Sequence, residues 1–418
     1  MHALQQVEES TAIAETVDLE SLEFAACQNN PTLVQAKAQI QGTLGKAIQA
    51  GLWPNPVFMY VQEQIGVEGT PGEFTGGVVQ QEIPTAHKLQ LSRAKYLSRT
   101  NVSEWIALAQ EWQVLNDVRI HFFRALGHQQ LVEIQKELLR NSEDSLVTTR
   151  ELYNLGRATL DDVHLANVAL QQQRLAVLRA ENTLRCTWQE LTAVVGIDLP
   201  FGVLSGTLET DVEMIEWQAA LDRLMESAPQ LQQARAKLEG DQLQVERELV
   251  ESVPNIVVQG GAGQNFEAGQ AVGTFQVRME VPLWDKNQGT IRQARSDLAR
   301  QHAEIRRLEL VLRRELGRVY DQYLSAFQHV QNYKSVILPE SRRVYEIRLD
   351  SYEDDRITWQ SVLAAQQGYF ALRGQYVEQL IALRENEVLI LGFLLHGGLM
   401  VPERPTPPEH IDVSPQPR

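Results

Sequence analysis

The sequence predicts a mainly α-helical fold with a small β part, built from a duplicated unit of long coiled-coil helices and two strand pairs. Three observations predict it. From Ile291 to Tyr333 every seventh residue is apolar or aromatic, which is typical of a long coiled-coil seam. Residues 275–281 alternate between apolar and polar side chains, as in a strand with one face of each kind. The same order of helices and strands occurs in both halves of the chain.

In the first half, apolar residues at three- and four-residue steps predict a helix over 21–49 with a break at Pro31. Strands are predicted at about 56–65 and 74–83, separated by a turn-rich segment. A long helix follows from about Lys88 to Tyr153. Gly156 ends it, and Thr159 is a suitable N-cap for a helix over 160–195.

The second half has the same plan, with a helix over 215–250 that is interrupted at Pro229. Strands at about 255–264 and 273–282, a long helix to about Tyr352 and a last helix over 359–395 complete it. We therefore divide the chain into an extension (1–18), repeat 1 (19–199), a linker (200–211), repeat 2 (212–399) and a tail (400–418). The tail is rich in proline and is predicted to be disordered.

Paired landmarks support the duplication, because they recur at a period of 198 to 200 residues in the same order. They are Pro31 and Pro229, Pro54 and Pro254, Pro84 and Pro282, Tyr153 and Tyr352, and Thr159 and Thr358.

Composition excludes several classes of protein. A net charge of −16 argues against nucleic-acid binding, which needs clustered Lys and Arg. Two cysteines are too few for a disulfide framework or a structural zinc site. The apolar runs are shorter than the roughly 18 residues of a transmembrane helix. No signal peptide is visible, so export would require a leader beyond this sequence.

The predicted strands are about as long as a strand that crosses a bilayer. Four strands cannot close a barrel, and open edges are too costly in hydrocarbon. Two alternatives follow from the residues alone. Either the strands form small soluble hairpins, or several protomers pool them into one barrel.

The order of elements and three motifs resemble the TolC-type outer-membrane efflux proteins over about residues 19–397. The segment YNLGRATLDDV at 153–163 resembles the helix-turn-helix at the periplasmic tip of that family, and 352–363 is its second copy. The segment GLWPNP at 51–56 is most similar to the CzcC-like branch, which serves heavy-metal efflux.

This resemblance implies a homotrimer in which the strands form a shared outer-membrane β-barrel and the helices a periplasmic tunnel. It implies an exit duct that exports metal cations or small toxic compounds, docked on a periplasmic adaptor. An inner-membrane pump, often of the resistance-nodulation-division type, would feed the adaptor. Neither a cofactor nor catalysis is implied.

The resemblance also implies roles for the two tip turns. Gate residues are expected in both turns, at Asp162, Tyr352, Arg356, Asp354 and Asp355. In the second turn, Asp350, Glu353, Asp354 and Asp355 form an acidic cluster, and our hypothesis is that threefold symmetry turns it into a cation-attracting ring. Adaptor contact is expected at Leu155, Gly156, Arg157, Ala158 and Thr159. Helix capping and a solvated charged turn are the alternative interpretations.

In the strand over 273–282, a lipid-facing side is expected, which consists of Phe275, Val277, Met279 and Val281. Gln276, Arg278 and Glu280 would then face water, and Pro282 would mark the end of the membrane segment. The corresponding segment of repeat 1 is less apolar because it contains Gln80 and Gln81.

Other functions receive less support. His121 and His128 lie seven residues apart on a helix, but the sequence shows no ligand that would complete a metal site with them, and none is predicted. A duct for protein secretion and a soluble coiled-coil scaffold remain as alternative functions.

Overall fold

The computed structural model describes residues 17–64, 73–209, 213–354, 356–406 and 410. The first half contains α1 (Leu19–Asn29), α2 (Pro31–Ala50), β1 (Val57–Glu63), β2 (Phe74–Ile83), α3 (Lys88–Asn154) and α4 (Leu160–Val195). The second half contains α5 (Trp217–Ser227), α6 (Pro229–Glu251), β3 (Ile256–Asn265), β4 (Gln270–Met279), α7 (Gln288–Asn332), a π turn (Tyr333–Ile337), α8 (Leu338–Glu353) and α9 (Trp359–Leu391).

The predicted breaks in the first helix of each repeat are present, and proline explains both. Pro31 and Pro229 are the first residues of α2 and α6, where the missing N–H would have no helical partner anyway. At the first break, the Asn30 side chain accepts a hydrogen bond of 2.9 Å from the Thr32 N–H, which satisfies a free donor of the new helix.

The sequence predicted one continuous long helix in repeat 2, but the structure interrupts it with a π turn. From Pro84 to Tyr153 the chain is one residue shorter than from Pro282 to Tyr352, so repeat 2 carries one extra residue in its long helix. A π turn holds one more residue than an α turn and accommodates such an insertion. Pro339 follows two residues after the π turn, and because it lacks an N–H it cannot donate a hydrogen bond to the preceding turn.

The four strands form one antiparallel sheet in the order β1-β2-β3-β4. Directly opposite residues point to the same face, so the register defines rows across the sheet. One row contains Phe58, Val79, Gly260 and Phe275. The neighbouring row, on the other face, contains Val57, Gln80, Gln259 and Gln276. One face is therefore mainly apolar and the other carries a line of glutamines.

The chain forms two compact units, and each draws segments from both predicted repeats. The helical unit comprises Met1–Val34, Ala109–Glu226 and Val311–Val401. Its core lies along α3 and includes Val114, Val118 and Phe122, which are almost completely buried.

The sheet unit comprises Gln35–Leu108, Ser227–Leu310 and Pro402–Arg418. Its core includes Val102 and Ile106, together with a buried ion pair of 2.6 Å between Arg99 and Asp241. Part of the described tail is packed here, although the sequence predicted disorder, whereas Met400 and Val401 are exposed. His410 is buried and lies 3.1 Å from Asp241, and Glu403 accepts a hydrogen bond from Gln233.

Among the described residues, no helix is both long enough and apolar enough to cross a membrane. The predicted extension is described only from residue 17, and the predicted linker (200–211) only as far as residue 209. The strand end predicted at residue 65 and the gate residue Asp355 also lie outside the described residues.

Candidate functional site

The first tip turn joins α3 to α4 and is fixed by a left-handed glycine and a capping box. Gly156 has φ +72°, a conformation that other residues adopt at a cost, and the Arg157 N–H reaches back to the Leu152 carbonyl at 2.8 Å. Thr159 caps α4 by accepting from the Asp162 N–H at 3.2 Å, while Asp162 Oδ2 accepts from the Thr159 N–H at 2.8 Å.

Asp162 is therefore held as a carboxylate. Hydrogen bonds to it from the Thr159 backbone and hydroxyl, and from Gln360, lower its pKa below the ordinary value, because they stabilise the charged form. Asp162 also lies in the first turn of α4, where a negative charge suits the helix dipole.

The second tip turn joins α8 to α9 and is capped differently. Thr358 occupies the N-cap position, but its hydroxyl meets the Ser361 hydroxyl at 3.2 Å and makes no capping bond to the backbone. Ser361 stands where the first turn has Asp162. Arg356 pairs with the neighbouring Asp354 within the turn. The second turn thus lacks the carboxylate cap of the first.

Gln360 connects the two turns, which sequence reasoning did not anticipate. Its Nε2 donates to Asp162 Oδ1 at 3.2 Å, using the carboxylate oxygen that the capping box leaves available. The sequence indicates that Gln360 lies one position before the repeat equivalent of Asp162, but only the packing of α4 near α9 shows that they meet.

Tyr352 makes a third contact. Within the part of the chain that the structure describes, it forms no hydrogen bond with Asp162 or Arg356. Its ring lies on Trp359, with centroids 5.0 Å apart. The Trp359 indole N–H is buried and has no hydrogen-bond partner among the described residues. The predicted gate residues therefore form three separate contacts, Asp162 with Gln360, Arg356 with Asp354 and Tyr352 with Trp359, rather than one network.

The residues expected to contact an adaptor lie at the end of the first turn. Leu155, Gly156, Arg157 and Thr159 are exposed, and Ala158 is half-buried. Leu155 is 73% exposed. A leucine presented in this way on a tight turn is available to a partner.

The predicted lipid-facing side chains are all exposed on the sheet unit. Phe275, Val277 and Met279 alternate along β4, and Phe275 is 76% exposed. Val281 is exposed too but lies beyond Met279, where β4 ends, three residues before the predicted end. On the same face of β2, Gln81 interrupts the apolar surface, and its amide donates to the Pro54 carbonyl at 2.9 Å.

Two tryptophans flank one end of the sheet, a feature that the sequence analysis missed. Trp53 precedes β1 and Trp284 follows β4, and the register places both at the same end of the two outer strands. They are 61% and 86% exposed. Exposed tryptophans at one rim are typical of a membrane–water interface.

The described residues contain no cluster of three or more His, Cys, Asp or Glu that could hold a metal ion. A carboxylate does approach one of the two helical histidines, since Glu190 lies 3.4 Å from His121. Burial and the positive charge of Arg124 lower the pKa of His121, which favours a neutral ring.

Comparison with known proteins relates these features to a family. No protein-family model matches the chain. It is 24% identical over 364 residues to the cobalt-zinc-cadmium resistance protein CzcC of Cupriavidus metallidurans, covering 86% of this chain and 85% of that protein. The solved structure of CusC has a TM-score of 0.76 at 14% identity and covers 94% of this chain and 96% of its own. The chain is thus similar in sequence to CzcC over most of its length and has the fold of CusC.

Two further solved structures share this fold. The outer-membrane protein VceC of Vibrio cholerae has a TM-score of 0.71 at 15% identity, over 91% of this chain and 96% of its own. The CmeC outer-membrane channel of Campylobacter jejuni has a TM-score of 0.73 at 14% identity, over 93% and 87%. The predicted family resemblance and the mainly α fold with one small sheet are confirmed.

Proposed function

We propose that this protein is the outer-membrane channel of a tripartite efflux system, which carries metal cations or small toxic compounds from the periplasm to the exterior. The sheet supports this most directly, because it has an apolar exposed face, a glutamine-bearing face and an outer strand at each side. The relative's name, which describes cobalt, zinc and cadmium resistance, supports metal cations as cargo.

The proposed assembly is a homotrimer. In the described residues, β1 and β4 are each paired on one side only. An unpaired backbone group in hydrocarbon costs several kcal/mol, and closed barrels have about eight strands or more. Three copies that pool their sheets would pair every outer strand and exceed that number.

In this barrel the apolar rows would face lipid, with Phe275, Val277 and Met279 on β4, and Val281 would lie just beyond the strand. The glutamine row would face the water-filled interior. Trp53 and Trp284 would lie at the level of the lipid headgroups, where an indole finds both apolar and polar surroundings.

The tip turns are the proposed gate. Gln360 with Asp162 ties α9 to α4, and Tyr352 with Trp359 fixes the start of α9 against the end of α8. The first contact holds the two helix–turn–helix units together, and opening would require it to break, whereas the second lies within one unit. Residues 155–159 are the proposed contact with a periplasmic adaptor, which an inner-membrane pump of the resistance-nodulation-division type would feed.

The acidic residues of the second turn are proposed to attract cations. Asp350 and Glu353 are exposed beside Asp354, and threefold symmetry would repeat them around the mouth. Asp354 is partly neutralised by Arg356, so Asp350 and Glu353 would contribute most of the charge that the described residues supply. Asp355, which follows them in sequence, belongs to the same proposal.

The decisive experiment is expression of the full native reading frame in a Gram-negative host, followed by membrane fractionation and light scattering of the detergent extract. We expect a trimer from the outer membrane that conducts ions in planar bilayers. A soluble monomer would overturn the channel proposal and favour a coiled-coil scaffold.

A further inference from the structure

One face of α3 in the helical unit carries a column of polar side chains that the proposed function does not use. Asp117, His121, Arg124 and His128 follow one another at steps of four, three and four residues. Residues at this spacing lie on the same face of a helix. That face meets both α4 and α9, so the column stands where three helices come together, which we call the three-helix joint.

Arg124 ties α3 to both neighbouring helices, because α4 and α9 each supply one carboxylate. Its Nε donates to Glu385 Oε1 of α9 at 2.7 Å, and its Nη1 lies 3.9 Å from Glu190 Oε2 of α4. Arg124 follows His121 by three residues and precedes His128 by four, so its fixed positive charge lies one helical turn from each histidine.

The two histidines have weaker partners than Arg124. Nδ1 of His121 lies 3.4 Å from Glu190 Oε2 but has no hydrogen-bond partner among the described residues. Glu190 is 47% exposed, so water screens its charge. Nδ1 of His128 lies 2.8 Å from the hydroxyl of Thr187 on α4, which is a neutral group. Within the described part of the chain, neither ring is therefore hydrogen-bonded to a carboxylate.

The other titratable groups at the joint are already engaged or lie at its edge. Asp117 accepts hydrogen bonds from the backbone N–H groups of Gly397 and Gly398, at 3.1 and 2.7 Å. The exposed Cys186 thiol lies 4.0 Å from Glu190. Histidine is the side chain whose charge ordinarily changes between about pH 7 and pH 5, so a response of the joint in this range would come from His121 and His128.

The packing around the column leaves little room for water. A Cβ added at Gly127 would lie 2.3 Å from Cγ1 of Ile381, so the backbone of α3 touches α9 directly beside His128. Ala125 and Leu126 are almost completely buried, and both histidines are half-buried. A positive charge that is placed in such surroundings loses part of its hydration, which is costly.

Burial and charge both favour neutral rings in the folded protein. Burial lowers the pKa of His121 and of His128, and the positive charge of Arg124 lowers each pKa further. The negative charges of Glu190 and Glu385 raise both pKa values, but by less. The joint is therefore built for two neutral imidazoles.

We propose that His121 and His128 make the three-helix joint an acid-sensitive switch, which is closed while both rings are neutral and loosens when they take up protons. In the unfolded chain both rings bind a proton at the ordinary pKa of 6.5, whereas the folded joint binds it only at lower pH. The stabilising effect of the neutral rings is thus complete above about pH 6.5 and is lost as the pH falls through the lower folded pKa values.

The switch goes beyond the proposed function, because conduction by itself requires no response to pH. α4 and α9 begin at the two tip turns and reach the joint near their C-terminal ends. Glu190 follows Asp162 by 28 residues, which is about 40 Å along α4. Mild acid would therefore release the far ends of both helices while the capping box at Asp162 is still formed.

The titration of each ring can be measured in the detergent-solubilised full-length protein by hydrogen exchange at histidine Cε1, which mass spectrometry resolves ring by ring. We expect the midpoints of His121 and His128 to lie below the ordinary pKa of 6.5. Midpoints at or above this value would overturn the switch, and this measurement requires no substitution that could disturb folding.

Amide hydrogen exchange over residues 119–130 shows whether the joint loosens. After correction for the intrinsic rate, we expect several-fold faster exchange at about pH 5.5 than at about pH 7.5. Asparagine keeps a polar atom near the place of Nδ1 but takes up no proton, so the double variant His121→Asn/His128→Asn should exchange equally at both pH values. The matched control His164→Asn, at an exposed histidine of α4, should respond like the parent.

The outcomes separate this inference from the proposed function. Equal exchange of the parent at both pH values, or an acid response that persists in the double variant, would contradict the switch and leave the channel standing. Neither measurement depends on conduction. A protein that responds to acid as expected but forms no channel would overturn the proposed function alone.

Discussion

The Gln360 amide donates to Asp162 Oδ1 at 3.2 Å and joins two turns that are 198 residues apart in sequence. The other carboxylate oxygen of Asp162 closes the capping box of α4. A substitution at Gln360 therefore removes only the contact between the turns, whereas a substitution at Asp162 removes that contact and the cap.

Gln360→Leu is therefore expected to loosen the tip without unfolding α4. We expect a larger open probability in single-channel recordings, because the hydrogen bond between α4 and α9 is gone while Thr159 and Asp162 still cap the helix. Gln367→Leu, two turns further along α9, serves as the matched control and should behave like the parent. Equal recordings for all three proteins would show that this contact does not restrain the gate.

Acid should loosen the same contact. The pKa of Asp162 is lowered in the folded protein, so its stabilising effect is complete above the ordinary value of about 3.8 and is lost as the pH falls through the lower folded pKa. Hydrogen exchange at residues 159–163 should stay slow from about pH 8 to pH 5 and rise below about pH 4, after correction for the intrinsic rate. In Asp162→Asn this rise should be absent; the same acid-induced rise there would assign the effect to another group.

The two faces of the sheet should tolerate charge very differently. Phe275→Arg places a guanidinium near the middle of β4 on the proposed lipid side, where it costs roughly 2–4 kcal/mol. We expect a several-fold loss of folded protein in the outer membrane. Gln276→Arg, one residue away on the other face, should insert normally, and Met279→Arg, near the end of β4, should have a smaller effect than Phe275→Arg. Normal insertion of all three variants would remove the lipid-facing assignment.

The buried pair of Arg99 and Asp241 should matter more than any exposed pair. Burial raises the pKa of Asp241, but hydrogen bonds from His410 and Arg99 and the charge of Arg99 lower it by more, so the carboxylate stays ionised. Asp241→Ala leaves Arg99 buried without this partner and should lower the free energy of unfolding by roughly 3–5 kcal/mol.

The matched control for this pair is Glu304→Ala, because Glu304 pairs with Arg307 on an exposed surface and such pairs contribute about 1 kcal/mol or less. Denaturant unfolding of the detergent-solubilised trimer compares the two variants. Similar losses would contradict the role assigned to the buried pair.

The sequence was sufficient for the elements that depend on local periodicity. The spacing of apolar residues placed the long helices, and Pro31 and Pro229 placed the breaks. Phe74–Ile83 was predicted as a strand with the bounds that the structure has. The family resemblance rested on the order of elements and on short motifs such as the turn at 153–163, whose conformation depends on residues next to each other in the chain.

Contacts that depend on packing were not predictable in the same way. The pairing of Gln360 with Asp162 requires two turns to meet, and no periodicity indicates that they do. The repeat period changes from 198 residues before the long helix to 199 after it, which indicates one extra residue in repeat 2. The sequence does not show where along the helix this residue is inserted. The burial of His410 was not predictable, because the prediction for the tail rested only on its proline-rich composition.

The glutamine row across β2, β3 and β4 has a consequence for the cargo. Amide side chains carry no fixed charge and both donate and accept hydrogen bonds, so they can solvate a passing ion with its own water still attached. A row of this kind would by itself hold a divalent cation too weakly to delay it. The fixed charges of this face would come from Arg278 and Glu82 in the next row, so any electrostatic selection within the barrel would take place at that end of the strands.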